Sequence, residues 1–123
     1  MKKILIIVSV LLTAGPAISQ QSSQKGPNGG PMEDIVGVDV EMVAKGKTIL
    51  FNIFDEKSGK AMSAEGFSGS ALLVSGSDRE AIKLVPDGNA LKAEVKKEVA
   101  PGSAISITLK NPEGRSGQVK FKT

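Results

Sequence analysis

The chain contains no histidine, cysteine, tryptophan or tyrosine, and aromatic residues make up only 3% of it. Each absence excludes some chemistry. Without cysteine there are no disulfides, thiolate metal sites, cysteine nucleophiles or lipid-modified N-terminal cysteine. Without histidine there is no imidazole base, and the commonest transition-metal ligand is missing. A serine nucleophile would have to rely on lysine as its base. Scarce aromatics, with basic residues interspersed among acids, argue against nucleic acid as a ligand. What is present is an ordinary globular balance over 123 residues, 40% hydrophobic and 24% charged, enough for one domain.

The N-terminal end reads as an address. Lys2 and Lys3 precede a nearly unbroken apolar run from Ile4 to Ala14, which Gly15 and Pro16 stop. Ala17 and Ser19 then place small residues at −3 and −1 of a cleavage site between Ser19 and Gln20. These are the parts of a secretory signal peptide in order, with cleavage after Ala17 as the second choice. The run is shorter than the roughly 20 apolar residues a spanning helix needs, so no membrane span is expected after cleavage. Removing residues 1–19 would leave 104 residues, with 14 Lys and Arg against 13 acids. The exported chain, periplasmic or secreted, would thus be almost neutral, and its core would have to hold the fold without disulfides.

Residues 20–33 have no apolar periodicity and are rich in Gln, Ser, Gly and Pro, which predicts a flexible leader. From Asp34 onward, strand-like runs alternate with turn signals. Val38, Val40 and Met42 alternate with Asp39, Glu41 and Val43. Thr48 to Phe54 is apolar on both faces and predicts a central strand covered on both sides. A short apolar run covers residues 70–75, and Ile82 and Leu84 flank Lys83. Ile105, Ile107 and Leu109 alternate with Ser106, Thr108 and Lys110, and Val119 and Phe121 lie between polar residues. Turns are expected at residues 55–60, 76–78, 86–89 and 111–114. Residues 90–100 fit two periods. Leu91, Val95 and Val99 have helical spacing, but the β neighbours and the flanking turns favour a strand, at the expense of turning Lys97 inward.

Seven or eight short antiparallel strands with turns every 8–12 residues predict an all-β domain over residues 34–123. An immunoglobulin-like β-sandwich is the first expectation, and a small β-barrel is the alternative. With no Cys–Trp–Cys core, the interior must be Ile, Val and Leu together with Phe51, Phe54, Phe67 and Phe121.

No catalytic constellation stands out. Ser22-x-x-Lys25 lies in the expected leader, where nothing would hold nucleophile and base together. The segment from Asp55 to Gly59 lacks the repeated acids of a calcium loop, and the glycine-rich stretches at 26–30 and 66–70 lack Walker spacing. Met32, Met42 and Met62 are scattered and form no thioether cluster for copper. Asp39 and Glu41, two apart on a strand, share a face and are the candidates for a weak hard-cation site. A pair of this kind is commonly just the solvated face of an edge strand.

Three segments in order carry a resemblance: Gly26-Pro27-Asn28-Gly29-Gly30, then residues 37–43 with Glu41, then residues 51–55 followed by Gly59-Lys60. They resemble small exported bacterial proteins that look related to the N-terminal segments of periplasmic adaptor subunits of heavy-metal efflux systems. In that pattern a Gly-Pro-His-Gly-Gly leader precedes an aromatic-His-Val-Glu-hydrophobic strand. Here Asn28 and Asp39 stand in place of the two histidines, while Glu41 is retained. Asn and Asp offer oxygen, which suits hard cations better than copper or zinc. The resemblance supports location and fold more than metal binding and gives no support to an enzyme, which the missing residue types also disfavour. The expectation is an exported, non-catalytic accessory or binding module of the cell envelope associated with metal homeostasis or efflux, with an envelope protein as partner and no cofactor. The alternative is a purely structural or protein-interaction module without a ligand.

Overall fold

Period-two alternation recurs from Val38 onward, and the strands of the described residues form one antiparallel sheet. The computed structural model describes residues 24–123. These hold nine strands and no helix: β1 (Gln24–Lys25), β2 (Pro31–Ile35), β3 (Val38–Lys45), β4 (Thr48–Asp55), β5 (Ser68–Ser75), β6 (Asp78–Asp87), β7 (Ala90–Glu94), β8 (Ala104–Lys110) and β9 (Ser116–Lys122). The spatial order is β1-β2-β3-β4-β7-β6-β5-β8-β9. The expected signal peptide and its expected Ser19–Gln20 cleavage site lie outside the described residues.

The all-β class holds, and of the two expected arrangements the small barrel is the one present. A sandwich needs two separate sheets, whereas here one sheet runs from end to end. The long strand β6 makes this possible: its first part, Asp78 to Leu84, pairs with β5, and its last part, Val85 to Asp87, pairs with β7. One strand thus carries the sheet around a corner. Pro86 sits past that handover, opposite Leu91, where β6 no longer has β5 beside it. A residue without an N–H donor is tolerated there.

The curl brings the two ends of the sheet together. Gly117 of β9 packs so closely on Ile35 and Val36 that an added Cβ would lie 2.9 Å from Val36 Cγ1. Asn111 Nδ2 donates to the Val36 carbonyl at 3.5 Å. No ladder joins β2 to β9, so the barrel is nearly but not fully closed.

Inside, Val40, Ile49, Phe51, Ile53, Leu84, Leu91, Ile105, Ile107, Leu109 and Phe121 are almost wholly buried. Phe51 and Phe121 meet across the interior with ring centroids 5.7 Å apart and planes tilted by 52°. Each buried side chain of this size contributes about 1.5–3 kcal/mol, which lets a barrel without disulfides stand on its core. Ile105, Ile107 and Leu109 face inward as expected, and Thr108 and Lys110 are exposed. In β4 the inner face is fully buried, while outward Leu50 and Asn52 are half-buried and outward Phe54 is covered by the chain at Ala61.

Four hairpins have two-residue turns: Val36-Gly37, Gly46-Lys47, Gly76-Ser77 and Gly88-Asn89. In the last three only the first turn residue has positive φ, the II′ form that matches strand twist. The first is different. Val36 (φ 44°) and Gly37 (φ 83°) are both positive, the I′ form. A β-branched residue is costly there, and Val36 is held in place by its packing at the seam.

Two expectations are corrected. The ordered body does not begin at Asp34: of the expected leader 20–33, residues 24–33 form β1, a turn and the start of β2, because a buried carboxylate supplies the partners that apolar side chains do not. In residues 90–100 the strand ends at Glu94; Val95 is still buried, and Lys97 points to solvent instead of inward. No helix among the described residues is long and apolar enough to cross a membrane.

Candidate functional site

On β3 the inward residues are Val38, Val40 and Met42, so Asp39, Glu41 and Val43 share the outer face, as their spacing predicts. An outward glutamate on a barrel should be wet. Glu41 is instead completely buried. The chain from Gly26 to Gly30 folds over it, closed by hydrogen bonds from Gly26 N to Gly30 O (2.7 Å) and from Gly29 N to Gly26 O (2.9 Å).

Both carboxylate oxygens are occupied. Oε2 accepts from Asn28 N (2.8 Å) and Gly30 N (3.0 Å). Oε1 accepts from Asn28 Nδ2 (2.9 Å) and, at 3.4 Å, from Asn52 Nδ2, on the β4 residue directly opposite. Every donor is neutral, and among the described residues no Lys or Arg pairs with Glu41. The close approach demands glycine. A side chain at Gly26 would run into Glu41 Cδ, and one at Gly30 into the Met42 carbonyl oxygen. In this arrangement Glu41 is a structural acceptor, with no oxygen facing solvent for acid–base work or for a cation.

Asp39 therefore does not pair with Glu41. It meets Asp34, its cross-strand neighbour on β2, and Glu56, in the turn after β4. Carboxylate oxygens of these three residues lie within 4.8 Å of one another. Burial pushes the Asp39 carboxyl up, and the charges of Asp34 and Asp55 push it further. Glu56 is also raised, first by its hydrogen bond with Asp34 and then by that residue's charge. Asp55 moves the other way. The side chain and backbone of Ser58 hydrogen-bond its carboxylate and lower its pKa, with Ser58 N at 2.9 Å. The oxygen donors of Asp34, Asp39 and Glu56 have the chemistry of a hard-cation site.

The opposite end of the barrel has a cleft of about 280 Å³ beside the β5–β6 turn and the segment 96–103. Leu73, Val99 and Ser103 line it, with Arg79, Glu80 and Lys96 among the charged residues. Much of this polarity is already paired. Glu80 accepts from Lys96 N at 3.2 Å, Asp78 pairs with Lys97 at 3.7 Å, and Ser103 Oγ donates to Ala100 O at 2.6 Å.

Sequence reasoning named Asp39 and Glu41 and missed their real partners. The signal for Asp34 was available, since Asp34 and Asp39 are placed symmetrically about Val36-Gly37; valine in the turn concealed it. The signal for Asn28 and Gly30 was the resemblance itself, which retains Glu41 together with the glycine-rich segment. No family model, curated protein or solved structure matches the chain.

Proposed function

We propose that this chain is an exported, non-catalytic accessory or binding module of the bacterial cell envelope, associated with metal homeostasis or efflux. The observation that carries the reading is the contact between Glu41 and Asn28 with Gly30. Two separate motifs of the efflux-adaptor pattern, 11 and 13 residues apart in the chain, supply the two sides of one hydrogen-bonded unit. The β2–β3 hairpin brings the two segments side by side, and the hydrogen bonds to Glu41 join them. The lack of histidine and cysteine supports a role without catalysis or a tight transition-metal site.

The test has two parts. Mass spectrometry of the envelope fraction should find a mature N-terminus at Gln20, and recovery of intact Met1 from the cytoplasm would end the export reading. Deletion of the gene should change tolerance to heavy-metal salts. Unchanged tolerance would remove the efflux association.

One observation favours the second reading, a protein-interaction module. Among the described residues, β9 has β8 on one side and no ladder on the other. An incompletely paired edge is a place where a partner strand can add. In vivo crosslinking from Gln118 or Lys120 would then capture an envelope protein even in a strain with normal metal tolerance.

A further inference from the structure

The contacts that hold residues 24–30 differ in kind from those that hold the barrel. No side chain of residues 25–30 joins the hydrophobic core. Lys25, Pro27, Asn28 and Gly29 are exposed. Its ladder to β2 covers two residues, Gln24 opposite Met32 and Lys25 opposite Pro31. Among the described residues the remaining attachment is three hydrogen bonds, all to one carboxylate. The barrel beneath has its own continuous core, to which residues 25–30 contribute no side chain.

We propose that residues 24–30 are a latch: a strap on the outer face of the barrel, caught by the buried Glu41 carboxylate, that opens as a unit while the barrel stays folded. Local openings follow the weakest set of contacts, and here these converge on a single side chain. The neutral donors can exchange their bonds to the carboxylate for bonds to water, so opening leaves no buried group unpaired.

Opening uncovers a defined surface. The β2 edge at Pro31 and Met32 loses its partner. The Glu41 carboxylate and the Asn52 amide come to the surface one above the other on paired strands, with half-buried Val43 and Leu50 in the next row. A free strand edge beside a carboxylate suits a partner turn that offers main-chain N–H groups, the chemistry the strap itself supplies when closed. The latch rests on the geometry at Glu41 and not on the envelope reading.

Amide hydrogen exchange on the full chain, followed residue by residue by NMR, tests the latch. In the wild type, the amides of Gly26, Asn28, Gly29 and Gly30 should share one protection level, well below that of Ile105 and Ile107. Glu41→Gln removes the charged acceptor and should speed the strap amides by about tenfold or more while leaving β8 unchanged. Gly26→Ala forces a methyl group against Glu41 without altering the carboxylate, and should do the same. If Glu41→Gln does not fold, Gly26→Ala decides alone, since Gly26 lies outside the barrel. Strap amides as slow as those of β8 in the wild type would overturn the latch. So would strap protection unchanged in both variants, or strap and barrel losing protection together in Gly26→Ala.

Discussion

Side chains on one strand can have opposite fates, and β8 shows the energetic contrast most simply. Ile107 is fully buried, and Lys110 is exposed three residues on. Ile107→Asp would bury an unpaired charge and should cost about 4 kcal/mol or more, or prevent folding. Lys110→Asp should stay within about 0.5 kcal/mol; chemical denaturation of both variants checks the pair. The acids at the other face behave differently. Raised carboxyls at Asp39 and Glu56 mean that the folded chain takes up protons more readily than the unfolded one. The burial of Asp39 and the Asp34 charge beside both groups are a full cost above the raised values and are relieved as pH falls through them. Asp55, lowered by Ser58, contributes stability above the ordinary carboxylate pKa that is lost as pH falls through its lowered value. A melting-temperature profile should therefore rise slightly from neutral to mildly acid pH and fall further down. Asp34→Asn should flatten that rise and lift the neutral-pH value by about 1–2 °C. The same residues limit metal binding. Exposed carboxylates without imidazole or thiolate should give no submicromolar Zn²⁺ or Cu²⁺ site. Calorimetry should find only weak binding, and weak hard-cation binding should respond to Asp39→Asn and not to Glu41→Gln.

Strands and turns account for most of what was legible before the structure. Alternation placed the cores of β3, β4, β8 and β9 correctly because a barrel strand has a dry side and a wet side. It failed where a different force took over. β1 and the turn after it hold no apolar residue in register; they are ordered by hydrogen bonds to Glu41, which hydrophobic patterning cannot register. The strand after Asn89 stops at Glu94, opposite Thr48, the first residue of its partner β4. The hairpin at Val36-Gly37 escaped notice because valine is not a turn former. Close approach between strands can be tested directly. Gly69 of β5 lies between β6 and β8, and a side chain there would strike the Thr108 carbonyl oxygen. Gly69→Ala should cost about 3 kcal/mol in thermal or urea unfolding, against less than about 0.5 kcal/mol for the exposed neighbour Ser70→Ala.

At the scale of the molecule, strand order departs from chain order at two junctions, β4 to β7 and β5 to β8. β4 pairs with β7, and β5 and β6 are inserted between them in sequence but not beside β4 in space. Joining β4 to β7 closes a loop of more than 30 residues, and β5 to β8 closes another of similar length. Non-local pairing of this kind slows folding, because loop entropy is lost before contacts form. Stopped-flow refolding should give rates in the range of about milliseconds to seconds, typical of all-β domains of this contact order. A sub-millisecond folder would be inconsistent with this topology.

The amino-acid sequence by itself determined the all-β class, the inward residues of most strands, the positions of most turns, and the absence of imidazole and thiolate chemistry. These follow from local rules: side-chain alternation, turn stereochemistry and the reactive groups a composition contains. Only the tertiary structure decided that one sheet curls into a near-closed barrel instead of splitting into a sandwich, because that choice depends on where β6 changes partners. Only it separated Asp39 from Glu41, two residues with the same face and spacing. The first joins acids brought in from β2 and from the turn after β4. The second lies under a strap 11 to 15 residues upstream in the chain. Hydrogen bonds formed across such distances have no period in the sequence, since their partners meet only after the sheet has formed.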